Sequence, residues 1–454
     1  MSVSFGVGAS QGIAYADRPP PVDPGQLPAG DPARPPDKTE RPGNTPCYST
    51  QQGGDGPSAP TPQRWLDLTH AWEFSRGEGQ LVAVIDTGVA AHPRLPDLEA
   101  GGDFVADGGD GVSEDCDAHG TVVAGLIAAK PQPGQGFSGV APEARILSIR
   151  QTSALYDYAN RQDRKPEDPP RGYGRVDALA AAIRRAADRR ASVINISLVS
   201  CMPNGVSFGD GAVGAAVRYA TLEMDAVVVA AAGNTDDKCK ASNPGIDPLN
   251  PTGDPWDNVT TNVTPARYDD YVLSVGSIDH NGAPSSFTVP GPWVGVAAPG
   301  EDIVSLDPRG TGTITGKYDN QSLVPLKGTS FAAPYVSGVV ALVRARFPEL
   351  RALDVIKRIQ ATAHAPGEGW NPYVGYGAID PVAALTAEVP KTLPPKRPAV
   401  AQSVQLQVPS PPPPPDNRAR DVALIGSGSV TTLLILGMLA SFPIRRRFNV
   451  REDQ

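Results

Sequence analysis

Four polar residues stand where apolar runs end or begin, and as a set they could carry out hydrolysis through a serine nucleophile. Asp86 closes the run Leu81-Val82-Ala83-Val84-Ile85, and His119 opens Gly120-Thr121-Val122-Val123-Ala124-Gly125. Asn234 follows Ala232-Gly233, and Ser330 lies within Gly328-Thr329-Ser330-Phe331-Ala332-Ala333-Pro334. A hydroxyl becomes a nucleophile when an imidazole takes its proton and a carboxylate fixes the imidazole's tautomer and steadies its charged form. A side-chain amide such as that of Asn234 can help hold the oxyanion that forms. Each residue alone has a plainer reading. Asp86 could be a strand-end turn residue, His119 and Ser330 helix caps, and Asn234 a turn former after glycine.

The elements that must carry these residues alternate between strand and helix. Leu81–Ile85 is a continuous apolar, mostly β-branched run, as expected for a strand buried on both faces of a parallel sheet. Its carboxyl edge, where Asp86 stands, is where ligand and catalytic groups collect in open α/β sheets. Further strands are expected at Arg145–Ile149, Val193–Leu198, Val227–Ala231, Tyr271–Ile278 and Trp293–Ala298. Helices are expected after His119, over Val176–Arg190 and Gly211–Met224, with Ser330 at or near the N-terminus of another, and over Ala352–Thr362. Between Gly88 and His119 the chain reads as a Gly/Asp-rich loop, and insertions rich in polar residues cover about 151–175 and 235–264. The pattern implies an α/β fold, a mainly parallel twisted sheet with helices on both faces.

The order Asp…His…Ser is the subtilisin order, and the motifs resemble those of the subtilase family. Val84-Ile85-Asp86-Thr87-Gly88 resembles its aspartate block and His119–Gly125 its histidine block. Ala232-Gly233-Asn234 is similar to its oxyanion block, and Gly328–Pro334 to its serine block. The resemblance covers about Trp65–Ala387 and implies a subtilisin-like serine endopeptidase acting on proteins or peptides. It makes Asp86, His119 and Ser330 the catalytic triad and Asn234, with the Ser330 amide, the oxyanion hole. Ser197, Leu198, Ala232 and Gly233 become candidate substrate-binding residues. Val199-Ser200 follow where the family usually has glycine, so the pocket's shape does not carry over. Asn195 lies close by in sequence, with a structural or supporting role. No cofactor and no metal is implied, and His70, His92, His280 and His364 fall in no matching block.

The ends of the chain have their own character. Residues 1–16 end in Ala14-Tyr15-Ala16, the form of an export cleavage site, without a basic leader. The start codon is therefore expected further upstream. Residues 17–64 form a Pro-rich extension that would be disordered by itself, with Cys47 expected to pin its middle. The catalytic domain is read as 65–388, then a Pro-rich linker over 389–421 with Pro411–Pro415 as a stiff spacer. Residues 422–444 carry no formal charge and are read as a transmembrane helix, with Arg445-Arg446-Arg447 opening a cytoplasmic tail at 445–454. A net charge of −9 gives no footprint for nucleic acid.

Cys47, Cys116, Cys201 and Cys239 lack zinc-ligand spacing. In an oxidising compartment three pairings are open, of which Cys47–Cys116 with Cys201–Cys239 is favoured. Each loop so closed would contribute roughly 4 kcal/mol in the chain-entropy view. The alternative is four free thiols in a cytosolic protein. A closer resemblance is to the mycosin branch of the subtilases, the membrane-anchored proteases of mycobacterial type VII secretion. It rests on the Pro-rich extension, four cysteines, proline linker, terminal apolar run and Phe287-Thr288-Val289-Pro290-Gly291-Pro292-Trp293-Val294. That resemblance implies export, two disulfides, a body outside the cytoplasm and association with the secretion membrane complex.

Overall fold

Seven runs of small and β-branched residues assemble into one parallel sheet in the computed structural model. They are β1 (Leu81–Asp86), β2 (Leu98–Asp103), β3 (Arg145–Arg150), β4 (Val193–Ile196), β5 (Val227–Ala231), β6 (Val272–Ile278) and β7 (Val294–Pro299). Their order across the sheet is β7-β6-β5-β4-β1-β3-β2. The structure describes residues 18–397 and 416–447, except 20, 44, 166, 167, 169–171, 207, 208, 236–238, 240–242, 248, 251 and 252, and only the backbone of 442–447. The expected export segment 1–16 and the linker's proline run lie outside the described residues.

Alternation along each strand divides the core into two layers. Val82, Val84, Val193, Val227 and Val229 face α1 (Gly120–Ala128) and α4 (Thr329–Arg346). Leu81, Ala83, Ile85, Ile194 and Ile196 face α2 (Val176–Asp188) and α3 (Gly211–Arg218) on the other side. Both faces are covered, which is why the strands read as unbroken apolar runs. β1 pairs with β3 on one side and β4 on the other, so the strand order reverses there. Such a switch point opens a crevice at the strands' carboxyl ends, and Asp86 is the last residue of β1.

Three elements differ from the sequence expectation. β2 lies in the stretch read as a loop. Its sequence, Leu-Glu-Ala-Gly-Gly-Asp, has no strand periodicity, and its register with β3 shifts between Ala100 and Gly102. Gly102 has φ +110°, and a Cβ on Gly101 would lie 2.4 Å from the Ser148 carbonyl oxygen, so this edge strand requires glycines. β4 ends at Ile196, two residues before the expected Leu198; Ser200–Pro203 instead pairs antiparallel with Thr261–Thr264. The helix expected over Gly211–Met224 is α-helical to Arg218 and widens to a π turn over Tyr219–Glu223.

The Pro-rich extension is ordered by what it borrows. Thr39–Glu40 pairs with Asp157–Tyr158, and Ser49–Gln52 pairs antiparallel with the strand Thr313–Asp319. Asp37 forms an ion pair with the buried Arg175 at 2.7 Å, while Val22, Leu27 and Ala33 pack on the α2–α3 layer. A disulfide joins Cys47 to Cys116, and a second joins Cys201 to Cys239. Ala352–Ala361 forms α5, and separately Arg418–Arg447 forms one helix, α6. Its segment Arg418–Ser441 is long and apolar enough to cross a membrane.

Candidate active site

Three side chains from three elements meet at the carboxyl edge of the sheet. The carboxylate of Asp86, wholly buried, accepts the Nδ1–H of His119 at 2.7 Å and the amide of Thr87 at 2.8 Å, both on Oδ1. On the far side of the ring, Nε2 lies 3.1 Å from Ser330 Oγ. His119 is one-fifth exposed, so its ring reaches solvent only at the crevice. Phe331 lies against that ring, with centroids 5.0 Å apart.

The local sequence explains how each residue comes to stand there. Asp86 ends a fully buried strand, so its position is set by the sheet. His119 is the N-cap residue of α1 without capping it through its side chain, which leaves the imidazole for other work. The preceding Ala118 holds φ +55°, a left-handed conformation that costs an alanine free energy and is fixed by the packing around it. Ser330 is the second residue of α4. The N-cap is Gly328, not the serine, and it has no side chain of its own with which to cap this helix. The simple capping reading of Ser330 is thereby corrected: the helix starts two residues earlier than a serine cap requires.

Asn234 comes from the loop after β5 and is locked by its oxygen. Oδ1 accepts both the amide and the hydroxyl of Thr329 at 3.0 Å, which turns Nδ2 toward the serine side. A Cβ built on Gly328 would lie 3.2 Å from Asn234 Nδ2 and 3.1 Å from Ser330 Oγ, at φ +150°. A side chain there would intrude between the hydroxyl and the amide. Glycine keeps that space open. Gly233 donates its amide to Thr329 Oγ1 at 3.2 Å, tying the asparagine loop to the serine helix.

The remaining sequence candidates take up supporting positions. Ala232 is fully buried and bonded to the Val275 carbonyl at 2.9 Å. Ser197 accepts from Asn195 Nδ2 at 2.9 Å, and Asn195 Oδ1 accepts from Ser337 in α4 at 2.8 Å, so Asn195 ties β4 to the serine helix. Leu198 packs on the α2–α3 layer. Among the described residues no hydrogen bond joins Ser197 or Leu198 to Asp86, His119 or Ser330. Of the other histidines, His92 is buried, and burial with the nearby Arg94 holds its pKa below the usual value. His70 lies beside Asp67, and His364 beside Asp380. Cys47, Glu114 and Cys116 bring ligand-type atoms together, but both sulfurs are committed to the disulfide.

Two residues around the site were not singled out from the sequence. Thr87 Oγ1 accepts the Gly120 amide at 2.9 Å and donates to Asp115 Oδ1 at 2.8 Å. Asp115 Oδ2 accepts the Thr121 amide at 2.8 Å. An acid four residues ahead of His119 was the available signal, readable only once the start of α1 is known.

A nucleophile hydroxyl, an imidazole between it and a carboxylate, and an amide facing the same space can together cleave an acyl bond. The model of the subtilase family matches residues 77–377. Mycosin-4 of Mycobacterium tuberculosis (strain ATCC 25618 / H37Rv) is 43% identical, over 96% of this chain and 93% of the relative. The crystal structure of MycP1 from the ESX-1 type VII secretion system superposes with a TM-score of 0.77 at 43% identity, covering 84% of this chain and 98% of that one. A chain in the periplasmic assembly from the ESX-5 inner membrane complex gives a TM-score of 0.76 at 44% identity, covering 87% and 100%. This chain is a serine endopeptidase belonging to the subtilase family, in its mycosin branch.

Proposed function

We propose that the chain is a membrane-anchored endopeptidase that works outside the cytoplasm beside a type VII secretion complex, cutting exported proteins or peptides. Ser330 is the nucleophile. His119 takes its proton as the hydroxyl attacks the peptide carbonyl, then returns a proton to the leaving amine. Asp86 holds the ring by Nδ1 and stabilises the imidazolium. Asn234 Nδ2 and the Ser330 amide receive the oxyanion. The observation that carries this reading is the unbroken contact from Asp86 through His119 to Ser330, at 2.7 and 3.1 Å.

The anchoring is supported by α6 and by Arg445-Arg446-Arg447 at its end, a positive flank that favours a short tail in the cytoplasm and a body outside. The association rests on the likeness to a chain of the ESX-5 periplasmic assembly. That likeness also favours a second reading, in which the body stabilises the secretion complex and proteolysis is secondary. A Ser330→Ala strain separates the two. Loss of both a cleavage product and export supports the protease as the essential element; lost cleavage with normal export supports the scaffold. Peptide hydrolysis by purified Ser330→Ala protein contradicts the triad itself.

A further inference from the structure

The loop that leads into His119 is held by a carboxylate absent from the triad. Asp115 is almost wholly buried, and its two oxygens serve different elements. Oδ1 receives the hydroxyl of Thr87, the neighbour of Asp86, while Oδ2 receives the amide of Thr121 in the first turn of α1. Thr87 Oγ1 in turn accepts the Gly120 amide. Thr121 Oγ1 accepts the Ala90 amide at 2.9 Å, closing the circuit back to the loop after β1. Asp86 and His119 stand 33 residues apart, and this ring of hydrogen bonds fixes one relative to the other.

We propose that Asp115, acting through Thr87, is a positioning residue that sets the imidazole of His119 against Asp86. The proposal rests on the triad reading given above. A bond of 2.7 Å between Asp86 and His119 aligns the ring only if both backbones are fixed, and a shift of about 1 Å in such a site can cost about 100-fold in rate. The side chain of His119 cannot cap its own helix while bonded to Asp86 and Ser330. Thr87 and Asp115 supply the acceptors that the cap residue withholds.

The charge state of Asp115 gives the proposal a signature. Burial pushes its carboxyl up to about 6; hydrogen bonds from Thr121 and Thr87 pull it down, and Asp117 adds to the rise. Asp86 and His119 lie on the catalytic side, with Glu114 and Asp117 on the same loop. Arg150 stands 3.8 Å from Glu114, and Lys317 and Arg150 draw down the carboxyl of Asp117. A proton on Asp115 removes one acceptor from the ring of bonds. Below about pH 6 the pair should therefore loosen, and Asp115→Asn should mimic that state at every pH.

The test uses the full chain in detergent and a fluorophosphonate probe that reacts with an activated serine, so no physiological substrate is needed. Thr87→Val keeps the shape of threonine without its hydroxyl; Thr87→Ser restores the hydroxyl. Thr87→Val and Asp115→Asn should slow the phosphonylation step about 10- to 100-fold with probe binding within twofold. Thr87→Ser should stay within threefold of the parent. The acid limb of the rate should show two ionisations in the parent and one in Asp115→Asn. Equal rates for Thr87→Val and the parent, equal losses in Thr87→Val and Thr87→Ser, or an unchanged acid limb in Asp115→Asn would each overturn the proposal. Labelling of a residue other than Ser330 in the parent would overturn the triad reading, and the proposal with it. Slow labelling that stays at Ser330 in the variants leaves the triad intact and supports Asp115.

Discussion

Under the proposed mechanism, α1 and α4 each present a reacting side chain where they begin, yet they treat their unpaired amides in opposite ways. At the start of α1, the amides of Gly120 and Thr121 are bonded to Thr87 and Asp115, and the end is closed. At the start of α4, the Thr329 amide bonds to Asn234, but among the described residues the Ser330 amide has no acceptor. Gly328 adds no side chain to cover it. The difference follows from what each end must do. A ring that relays a proton needs a fixed position, whereas an oxyanion needs donors that nothing else has satisfied. A helix end left open is ordinarily unfavourable; at Ser330 it leaves a donor for the charge that the proposed mechanism develops there.

The contrast can be broken from either side. Removing a reacting group has the largest effect: Ser330→Ala or His119→Ala should lower kcat by about 10⁴–10⁶-fold in a peptide-cleavage assay. Removing the open end's side-chain donor comes next. Asn234→Ala should cost about 10²–10³ in kcat with a small change in KM, and a loss confined to KM would show that the amide binds substrate rather than the oxyanion.

The closed end should declare itself in stability. The folded Asp115 carboxyl titrates near 6 against an ordinary 3.8, so the native state holds the proton more tightly than the unfolded chain. Stability from this group is therefore full below about pH 4 and declines as pH rises to about 6, by about 3 kcal/mol at most. Denaturant melts from pH 4 to 7.5 should show that decline in the parent relative to Asp115→Asn. A difference that grows in the opposite direction would contradict the assignment. The smallest effect is expected from the anchor of the open end. Thr329→Val removes the hydroxyl that bonds Asn234 Oδ1 and Gly233, and kcat should fall about tenfold while Asn234 stays in place.

The two ends also differ in how far the sequence discloses them. Asp86, His119 and Ser330 were legible as candidates because each lies where an apolar run ends or begins, and those runs mark a buried strand or helix. Asn234 was legible after Ala232-Gly233 for the same reason. The closing of α1 was not, because its partners Thr87 and Asp115 lie 28 residues apart and meet only when β1 and α1 are folded together. Nor was the start of α4, since Thr329 and Ser330 are equally good caps by type and only the backbone shows that Gly328 holds that position. β2 stayed hidden because an edge strand that bends at Gly101 and Gly102 carries no apolar alternation. The extension's composition points to disorder in isolation and does not reveal the strands it borrows at Asp157–Tyr158 and Thr313–Asp319.

The most direct test of the open and closed helix ends is a crystal structure of the catalytic body with a peptide boronate. The boron should be bonded to Ser330 Oγ, with one boronate oxygen within hydrogen-bond distance of both Asn234 Nδ2 and the Ser330 amide. The contacts of Gly120 and Thr121 with Thr87 and Asp115 should be unchanged. A boronate bound to another residue, or one whose oxygen points away from Asn234 and the Ser330 amide, would contradict the account.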